Sequence, residues 1–373
     1  MTLNKVIIAP DSFKGTLGAK QAADVIAAEV AEAFPDCKIV KMPIADGGEG
    51  SVDTIMTTIG GELLETQVLS PDDRMIGAYY AIASNGTAII EMAQSSGITK
   101  QKGLHPMTST TFGFGQLIMA ALDCGAREFI LCIGGSATTD GGCGMGAALG
   151  IVYNDAEGNS FIPCGATLSK VAAIDMSGLD SRVSTSSFTV MCDVDNPLYG
   201  TRGAAHIYSP QKGATPEQVL FLDEGLRLLG GRLKESFGKD FAKTPGAGAA
   251  GGLGAGCMAF LGANLMSGIE AILKICGFEN HLKDADLIIT GEGKLDSQSF
   301  YGKVLSGILS KAGKVPVWSI CGICECDEAL LHGRGIMVFQ TSEGISVEES
   351  MSNTEKYLRI AARRALHNWG GRA

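Results

Sequence analysis

The sequence predicts an α/β protein in two parts, with one α/β domain inserted into another. Three observations predict this. Short apolar strand-like runs alternate with helical periodicity over the first 60 residues. The same rhythm returns from Asp286 to the end, and the long stretch between follows a different, partly alternating pattern. Two βα units at one end and three at the other add up to five parallel strands with helices on both faces, a flavodoxin-like sheet.

Val6 to Ala9 reads as a short buried strand ending at Pro10. Leu17 to Phe34 carries Ala22, Ile26, Val30 and Ala33 at helical spacing, with Thr16 able to cap its start. Ile39 to Ala45 is a second strand, and Gly47-Gly-Glu-Gly50 turns into a helix over Ser51 to Ile59. At the other end, strands are expected at Asp286–Thr290, Val315–Cys321 and Ile336–Thr341. Helices are expected at Gly302–Ala312, Asp327–Leu331 and, as one long closing element, Val347–Trp369. The middle has alternating strands near Gln67–Leu69, Tyr79–Ile82 and Thr87–Met92, with turns at Pro71-Asp-Asp and Ser84-Asn-Gly. Buried strands at Phe129–Ile133 and Phe188–Cys192 follow, with helices over Gly113–Cys124 and Pro216–Phe237. The expected boundaries are 1–62 with 284–373 for the flavodoxin-like domain and 63–283 for the insert.

With 373 residues, the chain exceeds what one core usually holds. Apolar residues are 45% and charged residues 19%, the balance of a globular chain and not a disordered one. A net charge of −10 without a Lys/Arg run argues against a nucleic-acid partner. The apolar run before Pro10 is too short for a signal peptide, and no run of about eighteen apolar residues could span a membrane. Eleven cysteines without an export signal suggest reduced thiols and a cytoplasmic location. Cys321, Cys324 and Cys326 are the one tight grouping; with no second cluster to complete four ligands, they read as ordinary thiols. Five scattered histidines show no metal-ligand spacing.

Chemistry concentrates in glycine clusters that follow strands, where open α/β sheets place ligands. Asp11-Ser-Phe-Lys-Gly-Thr16 sets Lys14 between a strand end and a helix N-terminus, a place for a carboxylate or phosphate. In Ala45-Asp-Gly-Gly-Glu-Gly-Ser51 the glycines let a ligand approach the backbone beside Asp46. Gly134-Gly-Ser-Ala-Thr-Thr-Asp-Gly-Gly142 presents N–H groups and hydroxyls to an anion. Thr290-Gly-Glu-Gly-Lys-Leu-Asp-Ser-Gln-Ser299 alternates acids and a lysine on an expected glycine loop. These are the residue types phosphoryl transfer needs: cations for phosphate oxygens, carboxylates for Mg²⁺ and an acceptor for the hydroxyl proton. Cys192-Asp-Val-Asp-Asn-Pro197 adds two acids after a strand. Every Gly-Lys pair is followed by Leu, Asp or Val, so no Walker A exists. Gly246, Gly248 and Gly251 spell G-x-G-x-x-G, but Phe241-Ala-Lys-Thr-Pro precedes them instead of a strand.

Taken in order, these segments resemble the signature of the bacterial type-one glycerate kinase family. The resemblance rests on Ala9–Gly15, Ala45–Gly50, Glu91-Met-Ala, Gly134-Gly-Ser-Ala-Thr and Cys192–Leu198. It continues through Gln211-Lys-Gly-Ala214, Gly246–Leu253 and Ile289–Gly293. It implies ATP, Mg²⁺ and D-glycerate, with 2-phosphoglycerate preferred over 3-phosphoglycerate as product. The Asp11, Asp46 and Glu292 loops leave strands assigned to the outer domain and the Gly134 and Asp193 loops strands assigned to the insert, so if all five serve one reaction the active site is expected in a cleft between the two domains. The candidate catalytic residues are then Lys14, Asp193 and Asp296, with Asp193, Asp195 and Asp296 for the metal. Asp11, Ser12, Asp46, Gly47, Gly48, Ser95 and Ser96 are the candidates for substrate. Gly134, Gly135, Ser136, Thr138 and Thr139, together with Gly291, Glu292, Gly293 and Lys294, are the candidates for ATP. The family pattern differs at Thr139, Lys294 and Ser299, where it has Asn, Arg and Thr; Lys294 lacks the planar fork for bidentate phosphate contact.

Two other readings compete. A nicotinamide-dependent oxidoreductase would need its glycine fingerprint after a strand with an acid about twenty residues on. A non-catalytic clamp for a hydroxy acid would need fewer acids than Asp46, Asp193, Asp195, Glu292 and Asp296 supply.

Overall fold

The computed structural model describes residues 2–44, 51–300 and 304–370. The chain divides into two units, one of Met1–Asp46, Asp53–Ile59 and Ile269–Ala373, the other of Gly47–Val52 and Gly60–Gly268.

The first unit is built on one sheet. Val6, Ile7, Ile8 and Ala9 are apolar in succession, so the strand Lys5–Pro10 has no polar face to turn to water and is buried along its length. It sits between Lys38–Lys41 and Leu287–Leu295, and the sheet continues through Val317–Cys324 to Ile336–Gln340. All four pairings are parallel. Numbered within this unit the order is 2-1-3-4-5, the flavodoxin-like order. Helices Ala19–Ala33 and Thr354–Gly370 bury Ile26, Val30, Leu358 and Ala361 in the same cluster as Val6, Ile8, Ile289 and Trp318. Ile7 and Ile288 point the other way by strand alternation and are also fully buried.

Two expectations are corrected here. The strand expected to stop at Thr290 runs to Leu295, because Glu292, Lys294 and Leu295 stay in register with Cys321, Ile323 and Cys324. Its glycines permit this: a Cβ on Gly291 would lie 2.3 Å from the Ile320 carbonyl oxygen. The closing helix is two, Val347–Ser352 and Thr354–Gly370, separated at Asn353 by a non-helical φ of −130° and ψ of 41°.

The second unit carries a mixed six-stranded sheet. Its order is Asn264–Met266, Ser187–Met191, Glu128–Cys132, Ala88–Glu91, Met75–Ala83, Gly61–Leu69. The first four are mutually parallel and the last two extend the sheet antiparallel. Phe129 and Phe188 are register partners and stack at 4.6 Å. A smaller antiparallel sheet joins Ser160–Phe161, Val152–Asn154 and Ala173–Asp175. Helix Pro216–Phe237 has the bounds its sequence announces. Thr215 and Gln218 form a reciprocal capping box, Pro216 opens the first turn, and Gly238 closes it at φ 67°. Among the described residues no helix is long and apolar enough to cross a membrane.

Candidate active site

In the first unit the strand order reverses between Lys5–Pro10 and Leu287–Leu295. Ligands of such sheets bind beyond the carboxyl ends of the strands at that switch point. A cavity of about 420 Å³ lies there. The loop after the first strand brings Asp11, Ser12, Lys14 and Thr16 to it, and the end of the Leu287–Leu295 strand brings Glu292, Gly293, Lys294 and then Asp296. Three carboxylates and two ammonium groups thus converge on one small chamber.

Local hydrogen bonds set these side chains. Asp11 Oδ1 accepts from the Ser12 N–H at 2.6 Å. The Ser299 hydroxyl donates to Glu292 Oε2 at 2.9 Å and accepts the Asp296 N–H at 3.3 Å. Asp296 Oδ1 takes the Gln298 N–H at 2.9 Å. Lys294 pairs with Glu325 at 2.8 Å. Glu325 raises the Lys294 pKa through that hydrogen bond, so the lysine is cationic at neutral pH. Lys14 is exposed on its loop. Gly291 is buried within the strand and does not line the cavity; it serves the close approach of the neighbouring strand. Asp46, Gly47 and Gly48 lie outside the described residues.

In the second unit the loop Gly134–Thr139 leaves the strand Glu128–Cys132. It is fastened to the segment beside it by Ile98 N–H to Gly135 O and Ala137 N–H to Ser96 O, both 3.0 Å. Among the described residues, the N–H groups of Gly134, Gly135, Ser136, Thr138 and Thr139 make no hydrogen bond to the protein. Thr138 Oγ1 is buried without a partner as well. A loop with several unanswered N–H groups is a receptor for an anion. Ser95 and Ser96 are fully buried beside it, their hydroxyls 3.3 Å apart. Thr139 meets Ser209 at 3.2 Å.

Two charged residues that the sequence reading did not single out hold this loop. Asp140 is fully buried and accepts from the N–H groups of Thr111, Gly142 and Gly144 and from the Thr111 hydroxyl, at 2.7 to 3.2 Å. Burial pushes its pKa up, against those donors. Lys212, 1% exposed, donates to Ser136 Oγ at 2.7 Å and to the Thr138 carbonyl at 2.6 Å. Burial brings its pKa down to about 7, against the pull of the Asp140 charge. In the sequence Lys212 stands in Gln211-Lys-Gly-Ala214, a segment that carries part of the family resemblance.

The G-x-G-x-x-G run follows turns, not a strand. Its work is packing: Ala250, Gly251 and Gly252 all have positive φ, and a Cβ on Gly251 would lie 2.0 Å from the Thr138 carbonyl oxygen. Farther along the sheet, Asp193 is exposed and accepts the Gly268 N–H at 2.9 Å, while Asp195 is taken by Arg202 through both its oxygens, at 3.1 and 3.0 Å. Mg²⁺ takes one or two carboxylates plus substrate phosphates. Among the described residues no group of three or more His, Cys, Asp or Glu side chains is arranged to hold a metal ion alone. Asp11, Glu292 and Asp296, hard oxygen donors on one cavity, fit that requirement.

Known proteins resemble this chain along nearly its whole length. The sequence model of the Glycerate kinase family matches residues 6–370. A glycerate kinase of Bacillus subtilis is 42% identical over 367 residues, covering 96% of each chain. A glycerate 2-kinase of Escherichia coli K12 is 43% identical, covering 89% of this chain and 88% of its own length. A crystal structure from Salmonella typhimurium LT2, assigned to glycerate kinase 2, superposes with a TM-score of 0.87 at 38% identity over 99% of both chains.

Proposed function

The chain belongs to the glycerate kinase family, and on that footing we propose that it phosphorylates the 2-hydroxyl of D-glycerate with ATP, giving 2-phosphoglycerate and ADP. An ATP-dependent kinase is what the family membership supplies; the choice of hydroxyl is supported by the glycerate 2-kinase relative.

The observation that carries the mechanism is the set of unanswered N–H groups at Gly134, Gly135, Ser136, Thr138 and Thr139. A kinase without a Walker A needs another set of donors for its nucleotide phosphates, and this loop has them. The cavity of the first unit has complementary chemistry for the acceptor. Lys14 neutralises the glycerate carboxylate or the phosphoryl group in transfer, and Lys294 adds a second cation. Asp296 accepts the hydroxyl proton, with Asp193 the second candidate. Mg²⁺, held by carboxylates of this set, would neutralise charge on the phosphate oxygens.

The test is ADP release with purified protein, omitting one component at a time. Turnover should need glycerate, ATP and Mg²⁺ together. Equal release without glycerate would reduce the reading to an ATPase.

A further inference from the structure

We propose that Lys212 is the positioning residue of the nucleotide site: it shapes the 134–139 loop from beneath and acts on the phosphates only through Ser136 and Thr138. The inference rests on the reading of that loop as the phosphate cradle.

At 1% exposure Lys212 has no free surface with which to touch a ligand. Its ammonium is instead used up inside the protein, on the Ser136 hydroxyl at 2.7 Å and the Thr138 carbonyl at 2.6 Å. A buried ammonium is costly unless hydrogen-bonded, so both acceptors are held firmly in place. The second contact fixes a peptide plane. In a trans peptide the C=O and N–H point opposite ways. Drawing the Thr138 carbonyl down onto Lys212 therefore turns the Thr139 N–H away from the lysine, and that N–H is one of the unanswered donors.

The turn that carries Lys212 is tied to the same loop again. Ser209 meets Thr139 at 3.2 Å, and the Lys212 N–H donates to Ser209 O at 3.0 Å. The turn ends at Gly213, φ 93°, where a Cβ would come 2.6 Å from Leu104 Cβ. From another side Gly251 is pressed against the Thr138 carbonyl, and its own carbonyl accepts the Gly141 N–H at 3.1 Å. The loop is thus held at Ser136, Thr138, Thr139 and Gly141 before any ligand arrives. Preorganised donors of this kind need no rearrangement on binding.

Lys212→Met removes the ammonium and keeps the stem. Losing hydrogen bonds to a charged group in a preorganised site should raise the KM for MgATP at least about tenfold. The KM for glycerate should stay within about twofold, a split that general loss of folded protein would not produce. Hydrogen exchange supplies the control on the underlying reading. MgADP should protect the 134–139 segment in the wild-type protein, and Lys212→Met should exchange faster there without nucleotide. If MgADP protects that segment in the wild type but Lys212→Met leaves the KM for ATP unchanged, the role of Lys212 is wrong and the cradle stands. If MgADP gives no protection, the cradle reading fails and the inference with it. Should Lys212→Met not fold, Lys212→Gln, which keeps an N–H donor without the charge, carries the same comparison.

Discussion

The Ser299 hydroxyl donates to Glu292 Oε2 at 2.9 Å, and the Ser299 Oγ itself accepts the Asp296 N–H at 3.3 Å. One small side chain therefore sets two acids of the cavity, one on the end of a strand and one just past it. Ser299→Ala should lower kcat/KM for glycerate about tenfold, the scale of one hydrogen bond to a charged group, with the fold intact. Steady-state kinetics with a melting curve check this.

Lys14 stands exposed on the rim of that cavity. Lys14→Ala should lose at least about a hundredfold in kcat/KM, the scale of one preorganised electrostatic contact, with no change in melting temperature. A loss under about threefold would make Lys14 ordinary surface.

Asp296→Asn and Asp193→Asn keep shape and remove charge. The account expects Asp296→Asn to reduce kcat by about a hundredfold or more, as removal of a general base does. Near-normal kcat in both variants would send the search to Asp46 and Asp195.

Much of the frame was legible in the sequence because local signals and tertiary demands agree there. Helix Pro216–Phe237 announces both its ends through Thr215, Pro216 and Gly238. Val6–Ala9 cannot be anything but buried. The misread stretch Gly291–Leu295 fails for a physical reason. Glycines and charges disfavour a strand locally, but pairing with Val317–Cys324 overrides that preference, and it is visible only once the sheet is formed. The candidate site splits the same way. Glycine clusters after strands marked the loops. Nothing in Gln211-Lys-Gly-Ala214 tells a buried lysine from a solvated one, because burial comes from segments far apart in sequence.

Gly251→Ala tests the cradle from its other side. An alanine at φ 71° is strained, and its Cβ would meet the Thr138 carbonyl oxygen at 2.0 Å. The variant should lose at least about 2 kcal/mol of stability and bind ATP more weakly. Denaturant melts and nucleotide titration report the two effects separately.

Asp72 gives a pH signature away from the site. The Arg74 hydrogen bond, helped by Ser70 and the Lys102 N–H, holds its carboxyl well below the ordinary range, while partial burial opposes them. A depressed folded pKa means the stabilisation is present above the unfolded value near ~3.9 and is lost as pH falls through the folded value. The melting-temperature gap between wild type and Asp72→Asn should be full at neutral pH and shrink as pH falls below about 4. A gap that is constant with pH would contradict this.

Phosphorus NMR of the reaction tests the central claim most directly. With D-glycerate, ATP and Mg²⁺, the account predicts ADP and one new phosphomonoester resonance that coincides with added 2-phosphoglycerate. A resonance coinciding with 3-phosphoglycerate would contradict the assigned hydroxyl, and ADP appearing with inorganic phosphate at the same rate without glycerate would contradict the kinase reading itself.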